Sequence, residues 1–312
     1  MRRAIMGHNM SVRSESADSQ HPWTRLQQWL RAITPRRWRR GTAVVPVVRL
    51  AGVIGLAAPL RPGLTLSGLA RTLDKAFRQR GVKAVALAIN SPGGSAVQSH
   101  LIFQRIRQMA AEKKVPVIAF VEDVAASGGY MIACAADEII ADASSIVGSI
   151  GVVGASFGFD EAIKRLGIER RVYTAGEHKV MLDPFQPEKA DDVERLSAIQ
   201  KQIHADFIGL VKKSRGQRLH GPEEQLFSGE YWTGRTALEF GLIDRIGDLR
   251  SVLRERFGED VLTPLIAPSR GWLSRFAPAT ELPEAAGGSR LGFVDDMISA
   301  IETRAMWARF GL

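Results

Sequence analysis

The spacing of hydrophobic and polar residues follows two periodicities along most of the chain. Continuous apolar runs at residues 82–89 and 117–121 predict buried strands. Apolar residues that recur at helical spacing in 98–111 and 191–213 predict helices. Because strands and helices alternate, we expect an α/β fold in which most strands are parallel.

The same pattern predicts further elements and three regions. A proline at position 46 favours an edge position for the first strand. We expect strands at 44–50, 138–141 and 172–174, helices at 64–77, 131–136 and 235–240, and a loop at 175–190. The regions are a basic N-terminal arm that is largely disordered or amphipathic (1–42), a catalytic domain (43–265), and a linker with a C-terminal amphipathic helix (266–312).

Charge is concentrated at the N-terminus. Residues 1–40 contain nine arginines and two acidic residues, so they carry +7 of the formal net charge of +9. The rest of the chain is nearly neutral, which argues against a core that binds nucleic acid. Trp23, Leu26 and Leu30 recur at helical spacing among the arginines, a pattern typical of a helix on an anionic membrane surface. The alternative is a solvated arm that packs on a partner protomer.

No apolar run approaches the roughly 20 residues that a membrane-spanning helix needs. The basic start lacks a following apolar stretch, so we expect no secretory signal. The single cysteine, Cys134, excludes an internal disulfide and a cysteine-based zinc cluster.

Candidate chemistry begins with the stretch 123–130, in which Ser127 stands among small residues between a predicted strand and a predicted helix. A strand–turn–helix junction exposes a hydroxyl and directs backbone N–H groups at the atom that it attacks. The alternative is a close-packed helix start with Ser127 as its cap.

A second glycine-rich turn, Pro92-Gly93-Gly94, closes the strand at 82–89. Its uncovered backbone N–H groups could stabilise an oxygen that gains charge, as an oxyanion hole does. A plain turn is the alternative.

A serine nucleophile needs a base. His178 or His204 could complete a Ser-His-Asp triad, although no local pattern supports one. Lys179 is followed by apolar residues, and a lysine acts as a base near neutrality only where apolar surroundings disfavour its charged form. An ordinary surface lysine is the alternative.

Taken together, six motifs resemble the signal peptide peptidase A (SppA/SohB) family in order and spacing, over residues 44–260. They are Gly93-Gly94, Ala125-Ala126-Ser127-Gly128-Gly129-Tyr130, Gly148-Ser149-Ile150-Gly151-Val152, Gly176-Glu177-His178-Lys179, Tyr231-Trp232-Thr233-Gly234-Arg235-Thr236-Ala237 and Gly241-Leu242-Ile243-Asp244.

The resemblance implies a ClpP/crotonase-like fold of repeated ββα units with a mostly parallel sheet, and a serine–lysine dyad. By motif, Ser127 would be the nucleophile and Lys179 its general base. Ser149 would orient the lysine, and the N–H groups of Gly94 and Gly128 would form the oxyanion hole. The family also implies homo-oligomeric rings, in which neighbouring protomers can complete the dyad.

We therefore expect a serine endopeptidase that cleaves unstructured hydrophobic peptides, such as signal-peptide remnants, without a metal or organic cofactor. The family's N-terminal membrane anchor is replaced here by the arginine- and tryptophan-containing arm, so we expect a cytoplasmic protein with peripheral contact at the inner membrane. Three alternatives stay open: a crotonase-like acyl-CoA enzyme, a ClpP-like protease and a non-catalytic membrane-associated scaffold.

Overall fold

The computed structural model describes residues 42–55, 63–176, 178–267, 301 and 303–312. Apart from Thr42, the predicted basic arm lies outside the described residues, as does most of the predicted linker and terminal helix. Within the described part, residues 303–308 are helical.

A seven-stranded, mostly parallel sheet forms the centre of the domain. Its main path runs in the order β1-β2-β3-β4-β7, while β5 pairs with the far end of β3 and β6 pairs with β5 in antiparallel fashion. The strands are β1 (Val47–Ala51), β2 (Val85–Ser91), β3 (Val117–Ala126), β4 (Glu138–Ala141), β5 (Ile146–Gly148), β6 (Tyr231–Thr233) and β7 (Arg245–Ile246).

Helices connect the strands and cover the sheet. The two longest, α2 and α5, have 18 and 26 residues. The helices are α1 (Leu66–Phe77), α2 (Ala96–Lys113), α3 (Gly128–Ala133), α4 (Asp160–Arg165), α5 (Ala190–Arg215), α6 (Glu223–Leu226), α7 (Gly234–Glu239) and α8 (Leu249–Phe257).

The sheet is buried on both faces, which explains why its strands are continuous apolar runs. In β2, Leu87 and Ile89 pack into the larger core with α1, α2 and α3. Ala86 and Ala88 face the opposite way, into a smaller core with Val252 of α8. Side chains of successive strand residues point to opposite faces of the sheet, so β2 contributes side chains to both cores.

Strand β1 lies at an edge of the sheet, as the proline predicts. Residues 262–266 cover its outer side, where Val47 donates to the Pro264 carbonyl at 2.9 Å and accepts from the Ile266 N–H at 2.8 Å. The edge therefore presents few unpaired backbone groups.

Two predictions about strands were wrong. Residues 172–174 form no strand and are exposed, since no strand in the described chain pairs with them. Conversely, β6 was missed because it has three residues and lies between glycines. The helix predicted at 131–136 begins earlier, at Gly128, directly after Ser127. The α/β architecture itself confirms the predicted fold class and is consistent with a ClpP/crotonase-like fold.

Candidate active site

Ser127 occupies a strained turn between the end of β3 and the start of α3. Its φ and ψ are 51° and −121°, a region that non-glycine residues rarely adopt. Its N–H donates to the Gly148 carbonyl at 2.8 Å, and its carbonyl accepts from the Met131 N–H at 3.0 Å. The hydroxyl makes no hydrogen bond to the helix that it precedes. The backbone is therefore held on both sides while the hydroxyl is left available.

Glycines make this turn possible because the backbone segments approach closely. A Cβ atom at Gly93 would lie 2.8 Å from the Cβ of Ser127, and one at Gly129 would lie 2.5 Å from the Ser91 carbonyl oxygen. Gly93 also has a φ of 105°, which favours glycine. The turn after β2 is thus packed directly against the nucleophile candidate.

The N–H groups of Gly94 and Gly128 have no hydrogen-bond partner among the described residues. Ile54 pairs with the turn by donating to Gly93 and accepting from Ser95, each at 2.8 Å, so the N–H of Gly94 points away from Ile54. Gly128 is the first residue of α3, where a helical N–H has no partner within the helix. Two free donors next to Ser127 are what an oxyanion hole requires.

Ser149 follows β5 as Ser127 follows β3. Ala126 pairs with Gly148 in the parallel ladder, so the two serines come one residue after the same pair. The φ of Ser149 is 52°, almost the same as that of Ser127, and the residue is buried. Its N–H donates to the Glu230 carbonyl at 2.7 Å. The structure therefore brings these two predicted site residues together, at the carboxyl ends of the paired strands β3 and β5.

Lys179 lies in an exposed turn after a long exposed segment. No hydrogen bond joins it to Ser127 or Ser149 in the described chain. The segment before it, residues 153–176, is exposed except at isolated positions, and α4 within it has no buried residue. Tyr173 is 90% exposed and Phe157 is 78% exposed, which is unusual for large apolar side chains. We call residues 153–176 the exposed arm.

The two histidines considered as bases have other partners. His204 Nε2 lies 3.0 Å from the Ile150 carbonyl oxygen, which can only accept, so this nitrogen carries a proton. His178 Nε2 lies 3.1 Å from the Arg195 guanidinium, which can only donate. These hydrogen bonds do not involve Ser127, so they give a Ser-His-Asp triad no support.

A buried polar network holds α3, the helix that begins directly after Ser127. The Tyr130 hydroxyl donates to the Leu242 carbonyl at 2.8 Å, and burial raises the pKa of this phenol well above its usual value. Arg215 makes two hydrogen bonds to the Asp244 carboxylate, at 2.8 and 2.9 Å, and two to the Gly241 carbonyl. These contacts fix the turn 241–244, which sequence reasoning had identified only as part of a family motif.

The ionisation of this network follows from its contacts. Burial acts to raise the pKa of Asp244, but the Arg215 guanidinium and the Ile139 N–H outweigh it, so the net pKa is lowered. Burial raises the pKa of the neighbouring Cys134 thiol to about 12, so this cysteine is not a nucleophile near neutrality. Among the described residues, no group of three or more His, Cys, Asp or Glu side chains is placed to hold a metal ion.

Comparison with known proteins identifies the family. The sequence model of peptidase family S49 matches residues 109–258, which include Ser127, Ser149 and Lys179. Residues 109–258 of this chain are therefore a peptidase family S49 domain. The predicted resemblance to signal peptide peptidase A is thereby confirmed, and family S49 consists of serine peptidases, which are hydrolases.

Relatives of the S49 domain carry several names. A protein of Arabidopsis thaliana named "Serine protease SPPA, chloroplastic" is 32% identical over 217 residues, covering 67% of this chain and 31% of that protein. "Protease 4" of Haemophilus influenzae is 36% identical over 188 residues, covering 60% of this chain and 30% of that protein. A Brucella abortus protein named "Na(+)/H(+) antiporter NhaA" is 54% identical over 289 residues, covering 91% of this chain and 39% of that protein.

The S49 chain thus spans about two fifths of the Brucella relative and less than a third of the other two. The antiporter name belongs to a protein most of which has no counterpart in this chain. None of the helices in the described residues combines the length and hydropathy that a bilayer crossing requires. We therefore base the family assignment on the S49 match and the relatives named as proteases.

Proposed function

We propose that this protein is a serine endopeptidase that uses a Ser127–Lys179 dyad to cleave unstructured hydrophobic peptides, such as signal-peptide remnants. The observation that carries the proposal is the strained turn at Ser127, with its free hydroxyl and two free N–H donors beside it. A residue stays in a rarely adopted conformation only where the surrounding structure holds it there. Such residues cluster at active sites, which favours Ser127 as the nucleophile.

We further propose that a neighbouring copy of the chain supplies Lys179. Helix α5 attaches to the Lys179 loop through Asp192, which accepts from the Leu182 N–H at 3.2 Å, and to the Ser149 turn through His204. These two attachment points are twelve residues apart on α5, about 18 Å at the helical rise. One chain therefore anchors the lysine loop and the Ser149 turn at separate points of α5, while the exposed arm offers an apolar surface for a second copy.

In the proposed reaction, the neutral Lys179 amine takes the proton of the Ser127 hydroxyl as the serine oxygen attacks the peptide carbonyl carbon. The N–H groups of Gly94 and Gly128 hold the oxygen that becomes negative. Lys179 then returns the proton to the leaving amine as the C–N bond breaks. In the second half, Lys179 takes a proton from water as the water oxygen attacks the acyl-enzyme carbonyl carbon. It then gives this proton to the Ser127 oxygen as the ester bond breaks, which releases the acid product and frees Ser127. Ser149 would keep the lysine amine directed at Ser127.

The substrate class rests on the family and on the exposed apolar surfaces. The basic residues 22–40, with their interleaved tryptophans, would bring the enzyme to anionic membranes, where hydrophobic peptide remnants collect. A crotonase-like acyl-CoA enzyme would use the same N–H donors without a nucleophile, so reactivity of Ser127 separates the two activities.

The test is hydrolysis of an internally quenched hydrophobic peptide by the full chain, together with labelling by a fluorophosphonate probe. We expect Ser127→Ala to abolish labelling, and Ser127→Ala and Lys179→Ala each to lower kcat/KM by at least about 10³-fold. Ser144→Ala, at an exposed serine, is the matched control and should keep the wild-type rate. Undiminished hydrolysis by Lys179→Ala would remove the lysine from the mechanism, and an unlabelled wild type would refute the peptidase.

A further inference from the structure

Helix α5 contacts all three elements that carry the proposed dyad. Near its start, the buried Asp192 carboxylate accepts from the Leu182 N–H in the lysine loop. At its middle, His204 Nε2 contacts the Ile150 carbonyl at 3.0 Å. At its last residue, Arg215 holds the turn that accepts the Tyr130 hydroxyl of α3. The mechanism above gives His204 no role, although it is the member of this series nearest to Ser149.

The His204 contact supports a strained segment. Ser149, with its φ of 52°, is held on one side by the hydrogen bond from its N–H to Glu230. On its other side, the Ser149 carbonyl accepts from the Gly151 N–H at 2.9 Å, and the next carbonyl, that of the fully buried Ile150, is contacted by His204. A backbone in a rarely populated conformation persists only where its surroundings determine it. Of the contacts around Ser149, the one from His204 is the one made by a side chain of α5.

The chemistry of the contact also defines what His204 must provide. A carbonyl oxygen only accepts, so the imidazole must donate through Nε2–H. The donor sits on a long helix, so its position is fixed by the backbone of α5 and by the two other attachments of that helix. The His204 ring thus fixes the position of the Ser149 turn along the axis of α5.

We propose that His204 is a positioning residue for the proposed hydrolysis: by donating to the Ile150 carbonyl it holds Ser149 where it can direct the Lys179 amine at Ser127. The inference rests on the proposed function. It concerns the N–H donor of His204 and assigns the ring no proton transfer with the substrate.

The experiment compares His204→Gln with His204→Glu in the full chain. Glutamine places an N–H donor close to where Nε2 lies, whereas glutamate of the same shape places an acceptor against the carbonyl. The readout is labelling of Ser127 by a fluorophosphonate probe, resolved into the maximal labelling rate and the probe concentration at half-maximal rate. His220→Leu is the control, because this exposed histidine makes no side-chain hydrogen bond to the turn.

We expect His204→Glu to lower the maximal labelling rate about 10- to 100-fold without changing the half-maximal concentration, because misplacement of a group that directs a reacting atom slows chemistry rather than binding. His204→Gln and His220→Leu should label at close to the wild-type rate. If His204→Glu does not fold, His204→Leu replaces it with the same expectations.

Two results would overturn the inference while the peptidase proposal stands: wild-type labelling by His204→Glu, or equally slow labelling by the glutamate and glutamine variants. In both cases the wild type would still label and Ser127→Ala would not. An unlabelled wild type would refute the peptidase proposal and this inference with it.

Discussion

The serine side and the lysine side of the proposed site differ in how far one chain assembles them. Ser127 and Ser149 follow two hydrogen-bonded strands and are held by backbone contacts on both sides. Lys179 follows the exposed arm, in which Tyr173 is 90% exposed and α4 buries no residue. This difference is the reason why we propose that a second copy of the chain completes the site.

The largest expected effect comes from mixing two inactive variants. Ser127→Ala keeps an intact lysine, and Lys179→Ala keeps an intact serine. If neighbouring copies share the dyad, co-assembly of the two variants restores part of the wild-type peptide hydrolysis, more than about 10²-fold above either variant alone.

Restoration should require that the two variants assemble together. The test mixture is therefore dissociated and reassembled after mixing, and the control mixture combines the two variants after each has assembled alone. A mixture that stays at the background of the single variants, in a preparation shown to contain mixed oligomers, would place both dyad members in the same chain.

Two glycines with nearly equal φ sharpen the contrast between the sides. Gly93 has a φ of 105° and is crowded by Ser127, while Gly176, in the lysine loop, has a φ of 103° and nothing within 4 Å of an added Cβ. We expect Gly93→Ala to slow Ser127 labelling about 100-fold by displacing the turn, and Gly176→Ala to change it little.

Because the two positions have nearly the same φ, Gly176→Ala is the matched control for Gly93→Ala, and a slower rate for Gly93→Ala reports crowding against Ser127. Equal labelling rates would mean that the Gly93 turn does not determine the position of the nucleophile.

A charge on the exposed arm should weaken assembly. Tyr173→Glu places a carboxylate where we propose an apolar contact, so we expect smaller species in sedimentation velocity and hydrolysis lowered about tenfold at fixed protein concentration. Leu265 is 63% exposed beside the edge strand β1, and Leu265→Glu is the control. Unchanged sedimentation of Tyr173→Glu would refute the proposed contact.

The smallest expected effect on the reaction, but a clear effect on stability, concerns Asp244 on the rigid side. Its pKa is lower in the folded chain than in the unfolded chain, so between the two values the unfolded chain binds more protons and stability rises with pH. Its contribution is therefore complete above the ordinary pKa of about 4 and is lost as the pH falls below it.

We expect Asp244→Asn to lower the free energy of unfolding at neutral pH by about 3 kcal/mol, because it leaves Arg215 buried without its charge partner, and to reduce the loss in acid. Asp248 also has a lowered pKa, through hydrogen bonds from Ser251, but it is an exposed helix cap, and asparagine caps equally well. Urea unfolding of Asp244→Asn and Asp248→Asn between pH 3 and 7 gives the free energy of unfolding of each variant. Equal losses of this free energy at neutral pH would contradict the prediction.

Sequence reasoning predicted the rigid side better than the exposed side, for a physical reason. The run 117–121 and the small residues around Ser127 describe a buried strand and a tight turn, because burial and backbone approach leave local signatures. The strand predicted at 172–174 was wrong because its apolar residues are exposed in this chain, and apolar pattern alone does not say which chain covers them.

Contacts between distant residues left no signal in the sequence. His204 donates to a carbonyl 54 residues away, and Arg215 pairs with Asp244 across 29 residues. The spacing of residues within a short segment predicts neither of these two contacts. The roles of Ser127, Lys179 and Ser149 in catalysis stay predictions, since the structure shows positions and contacts rather than reaction.

The pairing of Ala126 with Gly148 has a consequence for how this protein can change over evolution. Because side chains in a strand alternate between faces, one inserted or deleted residue in β3 or β5 would turn one serine to the opposite side of the sheet. Loops elsewhere can lengthen or shorten, but these two strands can vary only by substitution. We expect length variation among relatives to avoid the strand residues immediately before both serines.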